Sequence, residues 1–325
     1  MPVAYDAVLL LGFGGPTEPG RSVEFIRRVA GPRGTEDRIL EVAKHYDELG
    51  GISPYNRRTE DLRTALQARL SELGVSLPVE IGMRFWEPFI PQVVARLAAE
   101  GRRRVLGLIL APYQSAASWD TYQQAVAEAA HGLVPPGLEI DYLPPYHLSD
   151  GFLQAAADNI RIAGLAQLGA ARYAEAVLVF TAHSIPEPAA RGTPYASQYG
   201  ATAAALAERL QKPTYCLSYQ SAAGGRTQWL GPDVSDAIRQ ASAAGARDVI
   251  VTPIGFLCDH IEVLYDLDRV ARSAAADCGL GFVRPRTVES HPKFVDELAR
   301  RLAERIDSPV RPEPGLAEPG VEGQR

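Results

Sequence analysis

Cysteine is scarce: Cys216, Cys258 and Cys278 are the only three in 325 residues. They stand in separate segments without C-x-x-C spacing, which removes the usual zinc and iron–sulfur frameworks and argues against a structural disulfide. Isolated thiols of this kind read as small buried hydrophobes. No apolar run approaches the roughly 18 residues of a membrane span. No basic residue precedes the apolar run of the N-terminal MPVAYDAVLLLGFGG, so no transmembrane segment or secretion signal is expected and the location reads as cytoplasmic. Excess positive charge is missing too. With 33 Lys and Arg against 39 Asp and Glu, the net charge is −6, the wrong sign for a general nucleic-acid binder. What remains, 46% hydrophobic and 22% charged residues, is the balance of an ordinary globular protein, long enough for one large domain or two modest ones.

Short runs rich in Val, Ile and Leu recur at 7–11, 79–83, 105–110, 138–143, 176–180, 214–218, 249–253 and 281–284. Amphipathic stretches alternate with them at 36–49, 57–73, 89–99, 152–168, 198–211, 233–243, 261–276 and 292–306. Buried apolar strands separated by crossover helices predict an α/β fold with parallel sheets, the strands falling four and four. LPPYHLSD, 143–150, reads as the linker between halves, since consecutive prolines continue neither a helix nor a central strand. Domains of 1–145 and 146–307 follow, the last helix being free to pack back on the first. Residues 308–325, rich in Pro and Gly without hydrophobic periodicity, are expected to be a disordered tail.

His183 follows the apolar run AVLVFTA, at the carboxyl edge of a parallel sheet where ligands bind in open α/β folds. Taken alone it reads equally as a structural or a functional histidine. In PIGFLCDHIEVLYDLD, Asp259, Glu262 and Asp266 are spaced i, i+3, i+7 and would share one helix face. That pattern is either a capping arrangement with Asp259 at the N-cap or an acidic stripe facing a cleft. A histidine and a carboxylate meeting there would suit metal binding or proton transfer near neutral pH. His260, about 100° away around a helix, reads as structural.

The turn Gly12-Phe13-Gly14-Gly15-Pro16 lacks the third glycine of a dinucleotide fingerprint, because Thr17 stands there, and no acidic strand end follows at the right distance. A nicotinamide oxidoreductase is thereby disfavoured, and close approach of a flat ligand is the better reading of these glycines. Arg27, Arg28 and Arg33 cluster in FIRRVAGPRG. With Arg84, Ser53, Asn56, Ser115, Ser118 and Tyr122 they are either solvated surface or a site for carboxylates or phosphates.

Taken together, LLLGFGGP (9–16), GGISPYN (50–56), EPFI (87–90), FTAHSIP (180–186), Gln220 with QWLGP (228–232), PIGFLCDHIEVLYDLD (253–268) and HPKF (291–294) resemble the ferrochelatase family, especially its coproporphyrin branch from Gram-positive-type bacteria. The resemblance spans about residues 4–305. It implies two similar Rossmann-like domains enclosing a porphyrin cleft, with His183 and Glu262 as the central pair that accepts pyrrole protons or meets Fe²⁺, and Asp266 as a further metal contact. It also implies porphyrin contacts from Phe13, Ile26, Arg27, Arg28, Ser53, Arg84, Ser115, Tyr122 and Trp229. Phe13 stands where some relatives carry a tyrosine, so stacking rather than iron ligation is expected of it. Val270 replaces an acidic residue of some relatives, which puts an outer metal site in doubt.

The expected reaction is insertion of Fe²⁺ into coproporphyrin III with release of two protons. Four propionates call for more basic partners than two, and FIRRVAGPRG replaces the hydrophobic lip of the protoporphyrin branch. Iron is a substrate here. No permanently bound cofactor and no iron–sulfur cluster are expected; a monomer is, with transient contact to the next haem-pathway enzyme. The alternatives are a protoporphyrin IX ferrochelatase, a cobalt chelatase of the same fold, which would bring further histidines to the cleft, and a non-enzymatic porphyrin or haem carrier.

Overall fold

A computed structural model describes residues 4–131, 133, 138–223 and 227–308, apart from the Arg33 side chain. The Arg33 side chain and the expected tail beyond Ser308 lie outside the described residues.

The first half runs β1 (Ala7–Gly12), α1 (Ser22–Ala30), α2 (Glu36–Glu48), α3 (Tyr55–Glu72), β2 (Val79–Met83), α4 (Ile90–Ala99), β3 (Arg104–Ile109), α5 (Thr121–His131) and β4 (Glu139–Tyr142). The second runs α6 (Asp150–Glu175), β5 (Val177–His183), the short α7 (Glu187–Ala190), α8 (Tyr195–Arg209), β6 (Tyr215–Gln220), α9 (Val234–Ala243), β7 (Asp248–Thr252), α10 (Ile261–Tyr265), α11 (Arg272–Asp277), β8 (Gly281–Val283) and α12 (Pro292–Asp307). A π-helical turn, Asp266–Ala271, joins α10 to α11. The strands form two four-stranded parallel sheets with the same order, β2-β1-β3-β4 and β6-β5-β7-β8. An α/β fold of two Rossmann-like halves is therefore present, and the matching strand orders make one half a topological copy of the other.

Period-2 alternation explains how each central strand is buried on both faces. In β1, Val8 and Leu10 enter one core while Ala7, Leu9 and Leu11 enter another, beneath α4 and α5. In β5, Leu178, Phe180 and Ala182 join Val8 and Leu10 in one shared core, and Val179 faces α9. The two halves thus share an apolar slab, which α12 crosses with Phe294, Leu298 and Leu302 fully buried. Arg69 of α3 and Asp296 of α12 fasten it to the first half at 2.6 Å. The stretch 143–150 joins the halves but is not a loose linker. Leu143 and Tyr146 are buried, and the Tyr146 ring packs on Phe152 and Phe294 at 5.6 and 5.2 Å.

The glycine turn after β1 is packed tightly against neighbouring loops. A side chain at Gly14, where φ is +88°, would meet Trp86 at 3.0 Å, and one at Gly15 would meet Ser53 at 2.6 Å. The space these glycines leave is taken by the chain's own neighbouring loops.

Candidate active site

In each sheet the strand order reverses beside its first strand, and a crevice opens there at the carboxyl ends of the strands. In the second half that point lies between β5 and β7. His183 is the last residue of β5, and the chain leaving β7 turns into α10, whose first turn carries Glu262. The two side chains converge, with His183 Nε2 3.5 Å from Glu262 Oε2. Both remain partly exposed, to 37% and 27%.

The imidazole is oriented by its own backbone. His183 Nδ1 bonds the Ser184 carbonyl, and a carbonyl only accepts, so Nδ1 carries the hydrogen in the neutral ring. Nε2 is left with its lone pair toward Glu262. Behind the ring, the Tyr195 hydroxyl donates to the His183 carbonyl at 2.8 Å.

Capping of α10 differs from the sequence expectation. The N-cap is His260, whose Nδ1 accepts from the Glu262 N–H at 3.2 Å. Burial holds the His260 ring below the ordinary histidine pKa, in keeping with that acceptor role. Asp259 is therefore neither the cap nor part of a cleft-facing stripe. Arg284 and Thr287 hold it at 2.7 and 2.9 Å. The stripe reduces to Glu262 and Asp266, because the helix begins after Asp259. Asp266 is pushed up to about 6, first by burial and further by the neighbouring Glu262, against opposing hydrogen bonds from Ser221 and Gln220.

His183, Glu262 and Asp266 line a cleft of about 430 Å³ between the halves, and Ile26 and Trp229 line it with them. The opposite wall comes from α1 and α2 of the first half. Tyr46 lies there, its hydroxyl raised well above the usual tyrosine range by burial and by the charges of Glu262 and Asp266. His45 stacks on Tyr265 of α10, ring centroids 3.8 Å apart and planes 12° apart, closing the wall from both halves. The pairing of α2 with α10 is a contact between distant segments, which is why periodicity did not single out His45, Tyr46 and Tyr265.

The remaining expected porphyrin contacts lie outside this lining. Phe13 packs its ring on Phe85 at 4.7 Å. Ser53 and Ser115 are buried among loops of the first half, where Ser115 bonds Ser118 at 2.9 Å. Tyr122 is buried in the core beneath α4 and α5. Arg84 bonds Thr121 at 2.8 Å and lies over the Phe85 ring. Arg27 pairs with Glu36 at 2.8 Å, and Arg28 pairs with Glu24 at 2.7 Å because i,i+4 positions of α1 adjoin. The three cysteines are unpaired, and among the described residues no three His, Cys, Asp or Glu side chains gather as a metal cluster. No helix of the described residues is long and apolar enough to cross a membrane.

The ferrochelatase family model matches residues 5–306. The chain belongs to the ferrochelatase family. It is 36% identical to the coproporphyrin III ferrochelatase of Streptomyces griseus, covering 94% of this chain and 86% of that protein. It is also 36% identical to the coproporphyrin III ferrochelatase of Mycolicibacterium smegmatis, covering 99% and 94%. Among structures, SirB from Bacillus subtilis with Fe³⁺ superposes with a TM-score of 0.60 over 93% of this chain and 96% of that one, at 13% identity. At that identity the likeness concerns the fold alone.

Proposed function

We propose that this chain inserts Fe²⁺ into coproporphyrin III, with His183 and Glu262 as the groups that remove the pyrrole protons. The observation that carries the reading is the His183–Glu262 pair, 3.5 Å apart, in a cleft between two halves that a ferrochelatase model spans.

Metal insertion exchanges two N–H bonds for bonds to iron and releases two protons. A neutral imidazole with Nδ1–H tied to a carbonyl presents one lone pair, at Nε2. When Nε2 takes a pyrrole proton, the imidazolium meets the Glu262 carboxylate in an ion pair that did not exist before. The product of the proton transfer is therefore stabilised where it forms. Asp266, poised near 6 beside Glu262, is a second carboxyl able to accept a proton from that pair. The Trp229 and Tyr46 rings and the apolar Ile26 side chain supply walls suited to a macrocycle.

Arg27 and Arg28 sit on α1, the helix that sends Ile26 into the cleft. Their partners Glu36 and Glu24 are exposed surface carboxylates, and solvent-screened pairs of this kind hold weakly, so a propionate could displace them at little cost. Arg38 lines the mouth of the cleft and is paired with Glu41 in the same way.

Anaerobic metallation of coproporphyrin III and protoporphyrin IX in parallel tests the reading. Coproporphyrin is expected to be metallated faster, and Arg27→Gln with Arg28→Gln should weaken coproporphyrin binding much more than protoporphyrin binding. Equal weakening would remove the argument for the arginines. A preference for protoporphyrin would overturn the substrate while leaving iron insertion in place.

A further inference from the structure

Glu262 rides on a helix of only five residues, Ile261–Tyr265, which runs straight into the π-helical turn Asp266–Ala271. A single helical turn has no stability of its own in water. Its geometry must come from outside the segment. Ile261 and Val263 are buried on opposite sides of the turn, in two separate apolar clusters, but apolar contacts set position along a helix axis only loosely.

Arg284, just past the end of β8, spans the segment from below. Its Nη1 donates to Asp259 at 2.7 Å, on the N-terminal flank of α10. Its Nε and Nη2 grip both oxygens of Asp268, at 2.9 and 2.7 Å, within the π turn on the C-terminal flank. Thr287 adds a bond to Asp259 at 2.9 Å. The guanidinium is only 11% exposed, and Asp259 13%. The two carboxylates raise the Arg284 pKa far enough to outweigh its burial. Buried ion groups of this kind contribute little net stability relative to apolar packing, and their best-attested use is to specify geometry.

We propose that Arg284 is a positioning residue: one planar fork ties the two flanks of the α10 segment together and thereby sets Glu262 against His183. This rests on the function proposed above. Arg284 itself lies outside the cleft lining and touches neither His183 nor Glu262. Its role passes through backbone position alone. Only a rigid fork with several donors can hold two carboxylates that flank a helix. A lysine, with one ammonium on a flexible stem, cannot.

The test uses the full chain with Arg284→Lys and, separately, Asp268→Ala, which keeps the Arg284–Asp259 pair and removes both acceptors on the other flank. Three quantities are measured below the unfolding temperature of each variant: kcat for iron insertion, the Kd of coproporphyrin III from protein fluorescence quenching, and amide hydrogen exchange over residues 259–268. Both variants are expected to lose roughly 10- to 100-fold in kcat while the porphyrin Kd stays within about threefold, because misplacement by about 1 Å is enough for such a loss. Exchange over 259–268 should quicken about tenfold or more, with β5 unaffected. If both variants keep kcat within about twofold of the unaltered chain, or if exchange in the segment is unchanged, the proposal is overturned. Failure of the unaltered chain to metallate any porphyrin overturns the functional reading instead, so the two failures are told apart by the wild-type arm.

Discussion

Asp266 carries an ionised carboxylate at neutral pH in a site that resists it. Its folded pKa, pushed up to about 6 mainly by burial, exceeds the ordinary 3.8. The folded state therefore binds this proton more tightly than the unfolded chain does. The sign follows: the residue destabilises the fold above about pH 6, and the penalty fades as pH falls toward 3.8. Asp266→Asn, which keeps an acceptor for Ser221, should raise stability at pH 7.5 by about 1–3 kcal/mol, with the gain shrinking toward pH 4. Denaturant titrations of both proteins at the two pH values check this; a gain that persists at acid pH would assign it to something other than the charge. The same scale shows what a sequence reveals about a site. His183 and Glu262 are legible as a pair because His183 ends β5 and the chain leaving β7 turns into the helix that carries Glu262, both at the sheet's switch point. Asp259 was misplaced because nothing in the one-dimensional spacing discloses that Arg284 occupies it. Ser53, Ser115 and Tyr122 are buried, which spacing alone does not disclose, because a hydroxyl that serves a ligand and one that serves a loop look the same in sequence.

At the level of elements, the strands are legible to within about three residues, the largest gap being the end of β5, which runs on to His183 through the polar Thr181. Helices α1 and α5 are not. In α1 the pair Arg27-Arg28 drew attention as charge, while the residues that pin the helix, Phe25 and Ile26, are only two adjacent apolar positions. In α5 just Tyr122 and Val126 are buried, too few to mark a stripe. The contact of α2 with α10 was hidden for another reason: it joins residues far apart in sequence. Its centre is the His45–Tyr265 stack. Stacked aromatic pairs add about 0.5–1.5 kcal/mol beyond area burial. His45→Ala is therefore expected to lower stability by about that much more than His45→Phe, which retains a stacking ring, as thermal unfolding of the two variants will show. Equal losses would mean that the rings merely adjoin.

For the whole molecule, the shared core and the crossing of α12 have a thermodynamic consequence. Two topologically equivalent halves invite the expectation of independent domains, yet Val8, Leu10, Leu178, Phe180 and Leu298 belong to one apolar cluster. Leu298→Ala on α12 should destabilise by about 2–5 kcal/mol and leave a single calorimetric transition. Two separated transitions would show that the halves unfold on their own. Mechanically, the same slab holds the α1–α2 wall opposite the β5–β7 floor, so the cleft depends on both halves being in register. The central claim is that His183 takes a proton from the porphyrin in that cleft. Its most direct test is the rate of anaerobic iron insertion into coproporphyrin III by His183→Ala, with porphyrin binding measured alongside. A drop of about 100-fold or more in kcat with binding retained is expected from loss of a positioned base; a variant that metallates within a few-fold of the unaltered chain would contradict the account.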